Sequence, residues 1–314
     1  MKVSVIIRTF NRPLLLKQSL ASINLQTHNN WEVIIFDDGN GNEDTINTIN
    51  NFRSQNPNNT VLYFNSNSSR YFFKKSWEIA PLVSQGEVMM RLDDDDLLTE
   101  TSLEFISETY TNNPLLDYSY GSCATFNKEG LIEKITTQTP LELPKVREIW
   151  AGYLEGHPWN NPYHWVDNYY DKPRHYTSII HCSKASIMCS YAPYIIRTSS
   201  AVSVLNKFKV TSFVDDLEVM GSLDYLGLRH TSIKSILSYV REHDEGRVTD
   251  SNELIRDELF RVRDKVEYLR PNNFTSNVYL ESIENDNREK EINENDKISF
   301  KQYYNKVEQV ASKL

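Results

Sequence analysis

Along the first hundred residues, apolar positions switch repeatedly between the period of a buried strand and that of a helix. Val3-Ser4-Val5-Ile6-Ile7 is an almost continuous β-branched run, the signature of a strand covered on both faces, and it breaks at Asn11-Arg12-Pro13. Pro13 suits the first turn of a helix, and Leu15, Leu16, Leu20 and Ile23 then recur at helical spacing. Trp31-Glu32-Val33-Ile34-Ile35-Phe36 reads as a second strand, closed by the turn-forming Asp37-Asp38-Gly39-Asn40. Ile46, Ile49 and Phe52 mark a second helix, and Val61-Leu62-Tyr63-Phe64 a third strand. A third helix is expected from about Tyr71 to Ser84 and a fourth strand from Glu87 to Leu92. This βαβαβαβ order predicts an α/β fold with a doubly wound, mainly parallel sheet and helices on both faces. Ligands of such sheets sit beyond the carboxyl ends of the strands. Asn11, Asp38 and the run Asp93-Asp94-Asp95-Asp96 all fall there, so three polar clusters are expected to share one crevice.

The four consecutive aspartates carry the sharpest chemistry. Adjacent carboxylates repel one another unless something positive sits among them. A hard divalent cation with oxygen ligands, Mg²⁺ or Mn²⁺ shared with a substrate diphosphate, is the natural counter-ion. A plainer role is available to the same residues: a solvated acidic loop before a helix starting near Thr99, with Asp96 or Thr99 as its N-cap. No strand is followed by Gly-x-Gly-x-x-Gly or by a Walker-type Gly-Lys-Ser/Thr, so phosphates are expected to meet a metal rather than a glycine-rich loop.

The second half of the chain is less legible. Phe213-Val214 leads into Asp215-Asp216-Leu217-Glu218 and a helical pattern of Val219, Met220, Leu223 and Leu226. Acids in the first turn of a helix are favourable in themselves, and a reactive carboxylate there is compatible with that role. Trp150 to Tyr176 is rich in Trp, Tyr and His, which fits either an aromatic platform for an acceptor or ordinary packing of an irregular insertion. Leu254, Leu259, Val262 and Val266 continue a charged amphipathic helix ended by Pro271, and Asn285 to Lys297 reads as a linker or exposed turn. Phe300, Tyr303, Tyr304, Val307 and Val310 form a last amphipathic helix, expected to dock on the body or, in a homo-oligomer, on a second subunit. The expected division is residues 1–248 as one domain, in two halves of 1–120 and 121–248, followed by a helical extension over 249–314.

Composition narrows the function classes. A net charge of -9 over 314 residues disfavours non-specific nucleic-acid binding. No stretch approaches the roughly 20 apolar residues that span a bilayer. Met1-Lys2 runs straight into a strand, unlike a signal peptide, and Cys123, Cys182 and Cys189 form no CxxC pair. A cytoplasmic location follows as the expectation.

Val3 to Pro13, Trp31 to Gly39, and Gly86 through Leu92 to Asp96 together resemble the family-two glycosyltransferases of the GT-A fold, over roughly residues 1 to 110. The resemblance implies that Thr9, Asn11 and Arg12 lie at the nucleobase and that Asp38 accepts a hydrogen bond from it. Arg70 matches, more weakly, a nucleotide-contacting arginine. Leu92 to Asp96 matches the family's hydrophobic-Asp-x-Asp-Asp motif, which places Asp93 at the ribose and Asp95 on the metal. Because every letter is Asp, the register can shift by one, and Asp94 or Asp96 can take either role. Asp215 to Glu218 resembles the family's Glu-Asp-x-Glu element, making Asp216 the general base. Ser238 to Asp244 resembles the Tyr-Arg-x-His segment, with His243 as a metal or diphosphate contact and Arg247 as a second phosphate partner. The implied activity is inverting, Mn²⁺- or Mg²⁺-dependent transfer of a sugar from a UDP-linked donor to an acceptor hydroxyl, in surface polysaccharide or oligosaccharide synthesis. Glycosylation of hydroxymethylated DNA bases, or a non-catalytic nucleotide-sugar binder, are the alternatives.

Overall fold

The computed structural model describes residues 1–39, 41–65, 72–135, 193–207, 228–242, 289–290 and 292–314. The first half follows the expected order: β1 (Val3–Thr9), α1 (Pro13–Asn24), β2 (Trp31–Asp37), α2 (Glu43–Gln55), β3 (Thr60–Asn65), α3 (Phe72–Val83) and β4 (Val88–Asp93). These four strands are parallel in the order β3-β2-β1-β4. Thr9 pairs with Asp37, Asp37 with Asn65, and Arg8 with Asp93. Four polar strand ends therefore finish at one level.

The apolar runs are explained by burial on both faces. Val3, Val5, Ile7, Val33 and Ile35 pack with Leu16, Leu20 and Ile23 of α1, while Ile6, Ile34, Phe36 and Met89 point the other way, onto Trp77 and Ala80 of α3. Each such side chain contributes about 1.5–3 kcal/mol on leaving water, and the polar residues buried among them, Ser4 and Glu32, are hydrogen-bonded to each other. The tight packing extends to backbone. A Cβ on Gly86 would lie 2.7 Å from the Ser4 amide nitrogen and 2.9 Å from the Lys2 carbonyl oxygen. The Gly86 amide also helps satisfy the buried Glu32 carboxylate, at 3.1 Å, alongside the Ser4 hydroxyl at 2.6 Å. Gly86→Ala is therefore expected to cost about 1–3 kcal/mol of stability. Urea unfolding should show a lower midpoint with an unchanged slope.

Beyond β4 the chain forms β5 (Leu97–Leu98), α4 (Ser102–Asn112), β6 (Tyr118–Asn127), β7 (Gly130–Ile135), β8 (Tyr194–Arg197), α5 (Thr198–Lys207), β9 (His230–Arg241), β10 (Glu289–Lys290) and α6 (Glu294–Ala311). β8 joins β4 to β6 with antiparallel pairing on both sides, β7 and β10 extend that edge, and β9 runs parallel to β6. The central sheet is thus mostly parallel, with antiparallel strands added on the β4 side. The helix expected near Thr99 begins later, at Ser102, with Thr101 in the N-cap position and no side-chain cap. Thr99 is held instead by β9: its amide donates to the Leu237 carbonyl at 3.0 Å, while Leu97 and Leu98 pair with Tyr239 and Ser238. Neither Thr99 nor Asp96 caps this helix, because strand pairing claims the backbone there.

α6 starts inside the segment expected to be a linker. Asn293 and Asp296 form a capping box, each side chain accepting from the other's amide, at 3.0 and 3.1 Å. Its apolar stripe, Phe300, Tyr303, Val307 and Ala311, is buried in the same core as Leu16 and Val5. Phe300 packs 5.1 Å from Phe126 and 4.8 Å from Tyr239, ring centre to ring centre. The last helix therefore docks on its own body, and a second subunit is not required to cover its stripe. Among the described residues no helix is long and apolar enough to cross a membrane. The aromatic stretch 150–176 and the helix expected around Leu254 to Val266 lie outside the described residues.

Candidate active site

The loops after β1 and β2 are pressed together at the carboxyl edge. Asn11 adopts φ 53°, in the left-handed region that costs a non-glycine residue energy. A Cβ on Gly39 would sit 2.3 Å from Asn11 Oδ1 and 2.9 Å from its amide nitrogen, so only glycine fits there. The Asp38 amide donates to the Thr9 carbonyl at 2.9 Å, and Asp38 and Thr9 are both buried. Asp37 is committed to structure. Its carboxylate accepts from the Gly39 amide and from the Tyr63 hydroxyl, each at 2.8 Å. Burial raises the Asp37 pKa against those two hydrogen bonds, and burial with the Asp37 contact pushes Tyr63 up to about 12.

Asp93 to Asp96 form a turn closed by the Asp96 amide on the Asp93 carbonyl at 3.2 Å. Asp93, Asp95 and Asp96 each offer a carboxylate oxygen, all within 4.8 Å of one another. Three partly exposed oxygen ligands at that spacing suit a hard divalent cation. Asp94, expected at the nucleotide sugar, is instead 2% exposed and sits behind the turn. The Arg12 guanidinium reaches Asp94 at 3.6 Å and also ion-pairs with Asp95, so Arg12, expected at the nucleobase, lies on the acids. Burial pulls the Arg12 pKa down, but the charges of Asp94 and Asp95 outweigh it and the net shift is upward.

Two further arginines serve the turn. Arg91 directs both Nε, at 3.0 Å, and Nη2, at 2.9 Å, to the same oxygen, Asp93 Oδ1. Arg241 donates its backbone amide to Asp96 Oδ1 at 3.0 Å and Nε to the Asp95 carbonyl at 2.9 Å. Sequence reasoning gave neither a role. Arg241 was legible only as a letter of the Tyr-Arg-x-His segment, and Arg91 as a polar interruption in an apolar strand. Of the remaining expected site residues, Arg70, Asp216 and His243 lie outside the described residues, as does Arg247.

The acids make the metal-free site sensitive to pH. Burial raises Asp94 to about 7, opposed by Arg12 and reinforced by Asp95, and burial with the charges of Asp95 and Asp93 raises Asp96 well above the usual range. A carboxylate whose folded pKa lies above its unfolded one destabilises the fold once ionised, so stability falls as pH rises from about 4 to about 7. In EDTA the melting temperature should therefore climb on acidification from pH 8 to pH 5, with Asp94 contributing about 2–3 kcal/mol over that range. Asp94→Asn should flatten that slope, and an unchanged slope would show that Asp94 does not titrate there.

Residues 4–156 match the family model described as glycosyl transferase family 2. A GalNAc(5)-diNAcBac-PP-undecaprenol beta-1,3-glucosyltransferase of Campylobacter jejuni is 30% identical over 141 residues, covering 42% of this chain and 41% of the relative. An uncharacterized glycosyltransferase of Nostoc is 26% identical over 140 residues, covering 45% and 42%. The chain thus aligns with less than half the length of either relative. In three dimensions, S. aureus TarS 1-349 in complex with UDP-GlcNAc superposes with a TM-score of 0.59 at 16% identity, covering 87% of this chain and 68% of that one. Strand order and matches agree: residues 4–156 are similar to glycosyl transferase family 2, and the fold is of the GT-A type, shared with TarS.

Proposed function

We propose that this chain transfers a sugar from a nucleotide-diphosphate donor, a UDP-sugar, to an acceptor hydroxyl with inversion at the anomeric carbon. The observation that carries the reading is the convergence of the Asp38 loop and the Asp93, Asp95 and Asp96 carboxylates at one carboxyl edge of a parallel sheet. Asp38, with Thr9 beside it, is assigned to the nucleobase, and Asn11 to the loop that frames it. Asp93, Asp95 and Asp96 would hold a Mn²⁺ or Mg²⁺, which would offset the negative charge that develops on the departing nucleotide. Arg91 pairs with Asp93, and Arg12 lies across Asp94 and Asp95, where its charge offsets theirs.

The acceptor hydroxyl is a weak nucleophile until a positioned carboxylate takes its proton, and Asp216 is assigned that task. In a single displacement the acceptor oxygen bonds to the anomeric carbon as the bond to the diphosphate oxygen breaks. The proton ends on Asp216. His243 and Arg70 are assigned to the diphosphate and the nucleotide. The uridine donor is supported by the TarS structures, solved in complex with UDP-GlcNAc and with UDP. A glycan acceptor in surface polysaccharide or lipid-linked oligosaccharide assembly is supported by the name of the Campylobacter relative, a glucosyltransferase of an undecaprenol-linked oligosaccharide.

The test is donor hydrolysis across a panel of nucleotide sugars, with and without Mn²⁺. Release of UDP from one UDP-sugar, dependent on the ion, is the expected result. Hydrolysis confined to guanosine- or cytidine-linked donors would overturn the uridine assignment, and no turnover or binding of any donor would overturn the activity.

A further inference from the structure

Arg241 holds the acid turn by its backbone, whereas Arg12 holds it by its side chains. The Arg241 guanidinium donates Nε to the Asp95 carbonyl at 2.9 Å and Nη2 to Gln18 Oε1 at 2.5 Å. It lies 4.5 Å above the Phe126 ring and 5.9 Å from the centre of the Tyr304 ring. The Tyr304 hydroxyl in turn accepts from Gln18 Nε2 at 3.3 Å. Three elements far apart in sequence, α1, β9 and α6, thus meet on one planar cation. A guanidinium suits this place because its fork can donate in two directions while its face rests on aromatic rings. The backbone amide of the same residue fixes the Asp96 carboxylate.

We propose that Arg241 is a positioning residue for the divalent cation: it presets the turn so that the carboxylates of Asp93, Asp95 and Asp96 point to one place, with α6 bracing it through Tyr304. The proposal rests on the metal-dependent reading above and adds to it a residue that touches neither donor nor acceptor. Electrostatics alone would give Arg241 the opposite effect. A positive charge beside an acid cluster repels a cation, so its removal should strengthen metal binding. Positioning makes the reverse prediction, because residues that orient metal ligands typically account for about 10–100-fold in affinity. Arg12 is the internal comparison. It pairs with the carboxylates themselves, so losing it frees ligand atoms that the ion needs.

The experiment measures Mn²⁺ affinity by electron paramagnetic resonance, with and without UDP, for wild type, Arg241→Met, Arg12→Met and Tyr304→Leu. Circular dichroism reports folding, and amide exchange over residues 94–97 is followed in EDTA. Arg241→Met is expected to bind Mn²⁺ about tenfold or more weakly and to exchange faster in the turn. Tyr304→Leu, which spares the cation, should shift both readouts the same way by less, and Arg12→Met should bind the ion more tightly. Wild-type-like or tighter Mn²⁺ binding by folded Arg241→Met overturns the proposal. Should that variant fail to fold, unchanged affinity and exchange in Tyr304→Leu overturns it instead. A wild-type protein that binds no Mn²⁺ overturns both the metal reading and this one, whereas binding that ignores Arg241 and Tyr304 sinks only the present proposal.

Discussion

Transfer by Asp216→Asn is expected to fall about 10²-fold or more, the usual scale for loss of a general base. Asparagine keeps the size and shape of the side chain and can still cap a helix, but it cannot take the acceptor proton. Donor affinity should be unchanged, because the assigned base meets the acceptor and not the nucleotide. A role confined to the helix terminus would leave turnover near wild type, since asparagine and aspartate are comparable caps. Single-turnover transfer and equilibrium UDP binding, measured on the same preparation, separate the two. Should Asp216→Asn retain full activity while Asp215→Asn or Glu218→Gln is inactive, the base is a neighbouring acid of the same element.

Asp95→Ala should abolish Mn²⁺-dependent UDP binding while leaving the fold intact. Asp95 contributes one of the three converging carboxylates. Outer-shell partners of metal ligands already cost about 10–100-fold when lost, so removal of a ligand should exceed that range. The cost to the metal-free protein should be small, because two effects oppose each other. Asp95 loses its ion pair with Arg12, but its charge no longer raises the buried Asp94 and Asp96, and Arg12 keeps Asp94 at 3.6 Å. Calorimetry with unchanged Mn²⁺ and UDP affinity in the variant would remove Asp95 from the ligand set.

The parallel half was legible because its chemistry is local. Val3 to Ile7 and Trp31 to Phe36 must be covered on both faces, and Pro13 and Gly39 mark where each strand lets go. The acid turn stood out for the same reason, since four like charges demand an explanation wherever they occur. What could not be read depends on contacts between distant residues. Arg241 is 145 residues from Asp96, and nothing local to either announces the bond. Asp94 looks identical to its neighbours in sequence, yet burial separates it from Asp93 and Asp95 and turns it from a candidate contact into a support. The start of α6 was missed for a subtler reason. Asn293 and Asp296 sit in a polar, charged run, and composition outweighed a capping box in which aspartate replaces the more familiar glutamate.

The packing of α6 on α1 carries a consequence for biosynthesis. Gln18 and Tyr304 are 286 positions apart, so the groove beside α1 cannot close until almost the whole described chain has been made. At about 5–20 residues per second, on the order of ten seconds separate the emergence of β9 from that of α6. Throughout that interval Leu16, Phe126 and Tyr239 lack the partners that later cover them. Contacts this distant are closed late and slow the approach to the native state. The nascent chain therefore presents its apolar groove to the translation machinery and to chaperones before it can present a finished donor site to any nucleotide.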